Sequence, residues 1–324
     1  MQVTFKILRQ SPTSSQNFQE YTLEVEKGNT ILDCLNKIKW EVDGSLSFRK
    51  NCRNTICGSC AIKINGVSAL ACKENVGQYV IEETSTQREI TLSPLGNLPL
   101  IKDLVVDMQN FWQHLETITP YVQTGEQPER EFRQTELERA KLNQTSNCIS
   151  CGACYSECNA KIVNPEFVGP HALAKAQRLL TDSRDVATTE RLSEYNEGLS
   201  GVWGCTRCYQ CNTVCPMEVE PMEQIGRIKQ QILEQSDLEE TRAMRHRRVL
   251  VDLVQEGGWI DERKFGLLVV GNNFKDIQGL ASLFPLGIRM LLHGKFPFSF
   301  HPSQGAQEVA SLIDSVRAAL QAEK

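Results

Sequence analysis

Cysteine is the residue with the most chemistry to offer in this 324-residue chain, and twelve of its thirteen cysteines fall into three blocks. The first is Cys52-x4-Cys57-x2-Cys60, with Cys72 following at a distance. The second is Cys148-x2-Cys151-x2-Cys154-x3-Cys158. The third repeats it as Cys205-x2-Cys208-x2-Cys211-x3-Cys215, then Pro216. These are thiolate spacings of iron–sulfur clusters. An x4/x2 run with a distant fourth cysteine matches the plant-type [2Fe–2S] pattern, and two x2/x2/x3 runs match the two-cluster bacterial ferredoxin pattern, in which the fourth cysteine of each run ligates the other run's cluster. The expected [4Fe–4S] set is therefore Cys148, Cys151, Cys154 and Cys215, with Cys158, Cys205, Cys208 and Cys211 around a second cluster. Three clusters make a wire for single electrons. Zinc fits poorly: a structural zinc takes four ligands, typically as two separated pairs, whereas here four cysteines fall within eleven residues, twice.

The neighbours of the first block add charge. Arg49, Lys50 and Arg53 place cations beside four thiolates, which favours ionisation and raises the potential; the same cations also suit a solvated docking face. Gly58 permits a tight backbone between Cys57 and Cys60. The thirteenth cysteine, Cys34, sits at helical spacing from Ile31 and Ile38 and reads as a small buried hydrophobe. His114 and His171 read as structural, and no acid, base or nucleophile constellation stands out.

Composition sets limits. The net charge of −5 gives no reason to expect nucleic acid. The N-terminus lacks the basic start and apolar run of a secretory signal, and no stretch approaches the ~18 apolar residues of a spanning helix. An odd cysteine count and a reducing compartment argue against a disulfide framework.

The elements that must hold these loops can be read from periodicity. Residues 3–9 and 21–25 alternate as half-buried strands, and Thr30 caps a helix with Ile31, Leu35 and Ile38 on one face. Ala61–Ile64 and Val67–Leu70 flank Asn65-Gly66, a two-residue hairpin turn. Tyr79–Glu82 and Glu89–Leu92 read as further strands. Beyond Pro99, Ile101, Leu104, Val105, Met108 and Phe111 repeat at helical spacing, which predicts a docking helix over 99–115. The charged stretch 125–141 reads as a linker or surface helix. From residue 142 strand signals nearly vanish, with amphipathic helices over 171–180 and 222–233. A tail from about 240 opens on Arg242, Arg245, Arg247 and Arg248 and carries an apolar run over 283–292. That run suits core packing, partner docking or a membrane surface. The expected organisation is 1–96, a [2Fe–2S] domain; 97–141, a connecting helix and linker; 142–238, a helical two-cluster domain; and 239–324, a docking extension.

This order of domains resembles the iron–sulfur subunit of succinate dehydrogenase and fumarate reductase. The resemblance is carried by Ser47-Phe48-Arg49, by Leu98 to Met108, by Cys148-Ile149-Ser150-Cys151-Gly152-Ala153-Cys154, by Gly169-Pro170 with Asp182-Ser183-Arg184-Asp185, and by Cys215-Pro216 with Ile225-Gly226-Arg227-Ile228-Lys229. It implies an α+β fold: an N-terminal β-grasp plant-type [2Fe–2S] ferredoxin domain on Cys52, Cys57, Cys60 and Cys72, then an all-α two-cluster ferredoxin domain and a helical tail. It implies no dicarboxylate site here, and a flavoprotein partner holding FAD. Electrons would pass from that FAD toward quinone through a membrane anchor, on the cytoplasmic side of a membrane, in the tricarboxylic acid cycle. Its alternative is fumarate reduction from quinol or thiols. A free-standing multi-cluster ferredoxin and a zinc-stabilised interaction protein are the readings from other classes.

The sequence departs from the common family pattern at the last cluster. There the position of Cys208 is usually not cysteine and the cluster is [3Fe–4S], matching Cys158, Cys205 and Cys211. Here Cys208 predicts a second [4Fe–4S]. Asn159, Val163 and Thr206 replace the usual proline, tryptophan and histidine, so the usual quinone pocket is not carried over. Gly294-Lys295-Phe296-Pro297 is similar to the tail of the small iron–sulfur subunit of heterodisulfide reductases, which implies the variant group with a cysteine-rich anchor of that type.

Overall fold

A computed structural model describes residues 1–10, 15–80, 88–196, 198–235 and 237–322. The chain divides into two compact units, Met1–Ser236 and Asp237–Lys324.

The first unit opens with a five-stranded sheet. Strand β1 (Gln2–Arg9) buries Val3, Phe5 and Ile7 on one face, as its alternation requires. It pairs antiparallel with β2 (Asn17–Glu24), Phe5 opposite Tyr21. Between them in sequence and the next strands comes α1 (Ile31–Lys37), started by a reciprocal cap between Thr30 and Asp33. Its Ile31, Cys34 and Leu35 pack into the core, so Cys34 is a buried hydrophobe as its spacing suggests. The hairpin of β3 (Ala61–Ile64) and β4 (Val67–Leu70) turns on Asn65 and Gly66, both at positive φ. Strand β5 (Glu89–Ser93) lies between, parallel to β1 and antiparallel to β3, giving the order β2-β1-β5-β3-β4. This is the expected β-grasp.

Two expectations fail. Tyr79 follows a short 3-10 turn over Val76–Gln78 instead of opening a strand; residues 81 and 82 lie outside the described residues. The helix expected from Pro99 onward is a small hairpin first, β6 (Leu100–Lys102) and β7 (Val105–Val106), and a helix only from α2 (Gln109–Glu116). The reason is tertiary. Asp103 turns at φ 50° and is held by Arg9 Nε at 3.0 Å and the Ser47 N–H at 2.9 Å. Spacings of three and four at Leu104 and Met108 also fit a bulged hairpin that buries Leu104 and Val106.

Helices make the rest of the unit: α3 (Glu136–Ser146), α4 (Ala153–Ser156), α5 (Asn159–Val163), α6 (Pro170–Thr181), α7 (Thr188–Tyr195), α8 (Gln210–Thr213) and α9 (Pro221–Glu234). Pro170 and Pro221 open α6 and α9, where a missing N–H costs nothing, and these two helices pack together as the frame for the cysteine runs. The second unit holds α10 (Arg242–Gly257), α11 (Glu262–Phe265), α12 (Ile277–Leu292) and α13 (Ala306–Ala322). Helix α12 buries none of its residues: Phe284, Leu286, Ile288, Leu291 and Leu292 are all exposed. Among the described residues no helix is long and apolar enough to cross a membrane.

Candidate iron–sulfur cluster sites

The first site is a loop without regular structure between α1 and β3. Arg53 and Thr55 take left-handed conformations there, as does Gly58. Alternation of this kind turns successive N–H groups inward and makes an anion-binding nest. The N–H groups of Asn54 and Cys57 point at Cys52 Sγ, both at 3.3 Å, and that of Cys52 at Cys57 Sγ, at 3.4 Å. The Thr55 N–H reaches Cys72 Sγ at 3.4 Å, tying the distant fourth cysteine to the loop. Burial pushes the Cys60 thiol up to about 12; the backbone N–H of Cys72 opposes the rise, and the thiol and charge of Cys72 add to it. Burial works against ionisation of Cys57, but hydrogen bonds from Ser59 and Cys52 outweigh it and draw its pKa down to about 6. Of the nearby cations, Arg49 donates to Val106 O at 3.1 Å and Lys50 stands 4.6 Å over the Trp40 ring.

The second and third sites are built alike. The second and fourth residues after the first cysteine of each run are left-handed: Ser150 and Gly152 in one, Arg207 and Tyr209 in the other. The third cysteine-bearing turn of each run is a single helical turn, α4 with Cys154 and α8 with Cys211, and the two turns pack on each other. The structure groups cysteines from different runs. Cys148, Cys151, Cys154 and Cys215 line one cavity with Phe111, His171 and Val219. The Val219 N–H points at Cys215 Sγ at 3.4 Å. Cys158, which precedes α5, faces the other run. Burial pushes its thiol up first, opposed by the N–H groups of Lys161 and Ala160, and the charges of Cys205 and Cys208 add to the rise. Cys211 is driven to about 12 by burial and then by Cys205, Cys158 and Cys208.

The donor sets fit iron–sulfur clusters. Burial holds Cys151 at about 11 and Cys154 well above its usual range, so these thiols ionise only against a compensating cation. Among the described residues no group of three or more His, Cys, Asp or Glu side chains closes on a single metal ion.

A set of contacts binds the first site and its sheet to the second, and the sequence did not show them. A Cβ at Gly58 would stand 2.7 Å from Cys151 Cβ, so glycine here admits the neighbouring loop as well as the turn. Lys73 donates to Pro216 O at 3.2 Å, joining the residues next to Cys72 and Cys215. Ser68 donates its hydroxyl proton to the Glu157 carboxylate at 2.6 Å and lies 2.8 Å from the Ser156 hydroxyl, and Lys63 pairs with Glu157 at 3.0 Å. Asn97 adds donation to the carbonyls of Tyr155, Ser156 and Cys158.

Neither histidine singled out in the sequence is placed to do chemistry. His171 is buried, stacks on Phe111 with centroids 3.8 Å apart and donates from Nε2 to Phe111 O. Burial lowers its pKa to about 3, so it is neutral. His114 donates from Nδ1 to Asn110 O. Sequence reasoning missed Lys161, a lysine on α5 that the fold buries.

Residues 4–113 match the family model of the 2Fe-2S iron-sulfur cluster binding domain, and residues 144–219 that of the 4Fe-4S dicluster domain. The iron–sulfur subunit 1 of mitochondrial succinate dehydrogenase [ubiquinone] from Oryza sativa subsp. japonica is 38% identical over 239 residues, 71% of this chain and 82% of the relative. The chain belongs to the iron–sulfur subunits of succinate dehydrogenase and fumarate reductase. The fumarate reductase iron–sulfur subunits of Haemophilus influenzae, 36% identical over 69% of this chain and 90% of the relative, and of Mycobacterium tuberculosis, 37% over 67% and 86%, stand on the other side of the same family. A chain of the Mycobacterium smegmatis Sdh1 complex in the apo form has the same fold, with a TM-score of 0.65 at 22% identity, covering 72% of this chain and 97% of that one. As such a subunit the chain transfers electrons and carries [2Fe–2S] and [4Fe–4S] clusters. The second unit lies beyond both matched ranges.

Proposed function

We propose that this chain accepts electrons at the Cys52, Cys57, Cys60 and Cys72 site from the FAD of a flavoprotein partner that oxidises succinate. It would pass them to the Cys148, Cys151, Cys154 and Cys215 site and deliver them at the Cys158, Cys205, Cys208 and Cys211 site, toward quinone through a membrane anchor. The observation that carries this reading is the contact of Gly58 with Cys151, which seats the first loop on the second, together with the packing of α4 on α8 that seats the second site on the third. When bound, the clusters supply one-electron redox chemistry; the loops supply thiolates, N–H donors and exclusion of water.

The third site is proposed as a second [4Fe–4S], with Cys208 as its fourth ligand. What supports this reading is that the charge of Cys208 contributes to the raised pKa of both Cys158 and Cys211, after burial and other neighbours. This end of the chain is open. Cys208 and Tyr209 are exposed, as are Ile162 and Val163, the last at 85%. An apolar, exposed rim at the last site suits docking of an anchor subunit, cysteine-rich by the tail resemblance, with the complex on the cytoplasmic side of a membrane. Reduction of fumarate by the same architecture is equally compatible with the relatives.

The test is EPR of the anaerobically purified chain, oxidised and reduced, beside succinate-driven quinone reduction and fumarate reduction by the complex. The expected result is no oxidised three-iron signal in the wild type and its appearance in Cys208→Ser. A three-iron signal in the wild type overturns the role of Cys208, and turnover with thiols alone overturns the succinate direction.

A further inference from the structure

Lys161 lies three residues beyond Cys158 and is 6% exposed. Its ammonium donates to Phe167 O at 2.7 Å and to Pro165 O, reaches His114 Nε2 at 3.3 Å, and stands 5.1 Å from the centre of the Tyr155 ring. Each of these partners is neutral: two carbonyls, an aromatic ring, and an imidazole whose Nδ1 already donates to Asn110 O and whose Nε2 is left to accept. Burial lowers the Lys161 pKa to about 8, opposed by the charge of Cys158 and then of Glu166, and Glu166 is exposed to solvent. A cation in the interior without a counter-charge is strongly disfavoured, and buried charges are found paired. The backbone N–H of Lys161 donates to Cys158 O at 3.2 Å, so the fold holds this positive charge on the turn that follows Cys158.

We propose that Lys161 is the built-in counter-charge of the third cluster, a positioning residue that raises that cluster's reduction potential; this rests on the assignment of Cys158, Cys205, Cys208 and Cys211 made above. Reduction adds one negative charge to a site already bearing four thiolates. A fixed ammonium in a poorly polarisable interior stabilises the reduced form more than the oxidised one, and salt does not screen it away. Net charge is one of the quantities that set cluster potentials. A fourth thiolate from Cys208 lowers the potential of this site, and Lys161 acts in the opposite sense.

The experiment is a redox titration of the full chain, purified anaerobically with its clusters, each cluster followed by its own EPR signal. Lys161→Met is expected to lower the midpoint of the third cluster by at least a tenfold change in its reduction equilibrium, ~59 mV for one electron. The other two midpoints stay unchanged. Lys161→Arg is expected to keep the wild-type value. Lys161→Gln, which keeps a donor near Phe167 O without the charge, is expected to fall as Lys161→Met does. A fully loaded Lys161→Met with an unchanged midpoint overturns the proposal, and so does rescue by Lys161→Gln. Where the neutral variants fail to assemble the third cluster, assembly in Lys161→Arg supports the counter-charge, and failure there too overturns it. A wild-type chain without a third cluster overturns the ligand assignment and the proposal together; an unchanged midpoint with the cluster present overturns the proposal alone.

Discussion

Gly58 shows how little room the residue scale leaves around these sites. It turns at φ 70°, and the space a Cβ would take is filled by Cys151 and Ile149. Gly58→Ala adds a left-handed penalty of about 1–2 kcal/mol to overpacking of about 1–3 kcal/mol. We expect a lower melting temperature, followed by loss of visible absorbance, and slower electron passage between the first two sites in rapid-freeze EPR. A second residue-scale prediction concerns the buried pair of Asp185 and Arg191, joined at 2.8 Å, whose guanidinium also donates to the carbonyls of Ile118, Thr119 and Tyr121. Removing one partner leaves a buried charge unpaired, so Arg191→Met should cost about 3–5 kcal/mol in urea denaturation. Burial pushes the Asp185 carboxyl up, but hydrogen bonds from Arg191, Gln123 and Ala187 outweigh it, and its pKa is lowered. A lowered folded pKa gives stability that is present above the unfolded value of about 3.9 and is lost as pH falls through the folded one. Wild type should therefore lose more stability below about pH 4 than Asp185→Asn does, and equal acid limbs for the two would refute this.

At the scale of elements, helices and caps serve to deliver loops. Helix α3 ends at Ser146, two residues before Cys148, and starts on a reciprocal cap of Thr135 and Glu138. Thr135→Ala is expected to cost about 1 kcal/mol, read as a lower denaturant midpoint at unchanged slope, with the iron content retained. The elements that were legible in the sequence are those whose neighbours agree with their own pattern: β1, whose alternating face meets the core, and α1, whose cap and apolar face coincide. Residues 99–106 were not legible, because the choice between helix and hairpin lies with Arg9 and Ser47, far away in sequence, holding Asp103. Tyr79 was misread for a related reason. Its β-favouring side chain sits at the end of a 3-10 turn and donates to Glu74 at 3.0 Å.

At the scale of the molecule, the first unit is a framed wire, and the second unit carries an apolar helix with nothing buried. Polar substitutions on α12, such as Phe284→Gln with Leu291→Gln, should change stability by no more than about 0.5 kcal/mol, as exposed sites do. The same variant should lose recovery with the partner subunits when the complex is isolated from membranes; full recovery would count against docking through this face.

The cysteine spacings determined by themselves what this protein is built to hold, because cluster ligation from a short loop permits few spacings and leaves them written in the chain. They also raise the expectation that fourth cysteines are exchanged, since in the two-cluster pattern the fourth cysteine of each run ligates the other run's cluster. Tertiary structure alone decided which loop lies against which, why Gly58 must be small, and that Lys161 is inside. Spacing along a chain carries no record of what a residue meets from another element, and burial of a charge is a property of the whole packed fold.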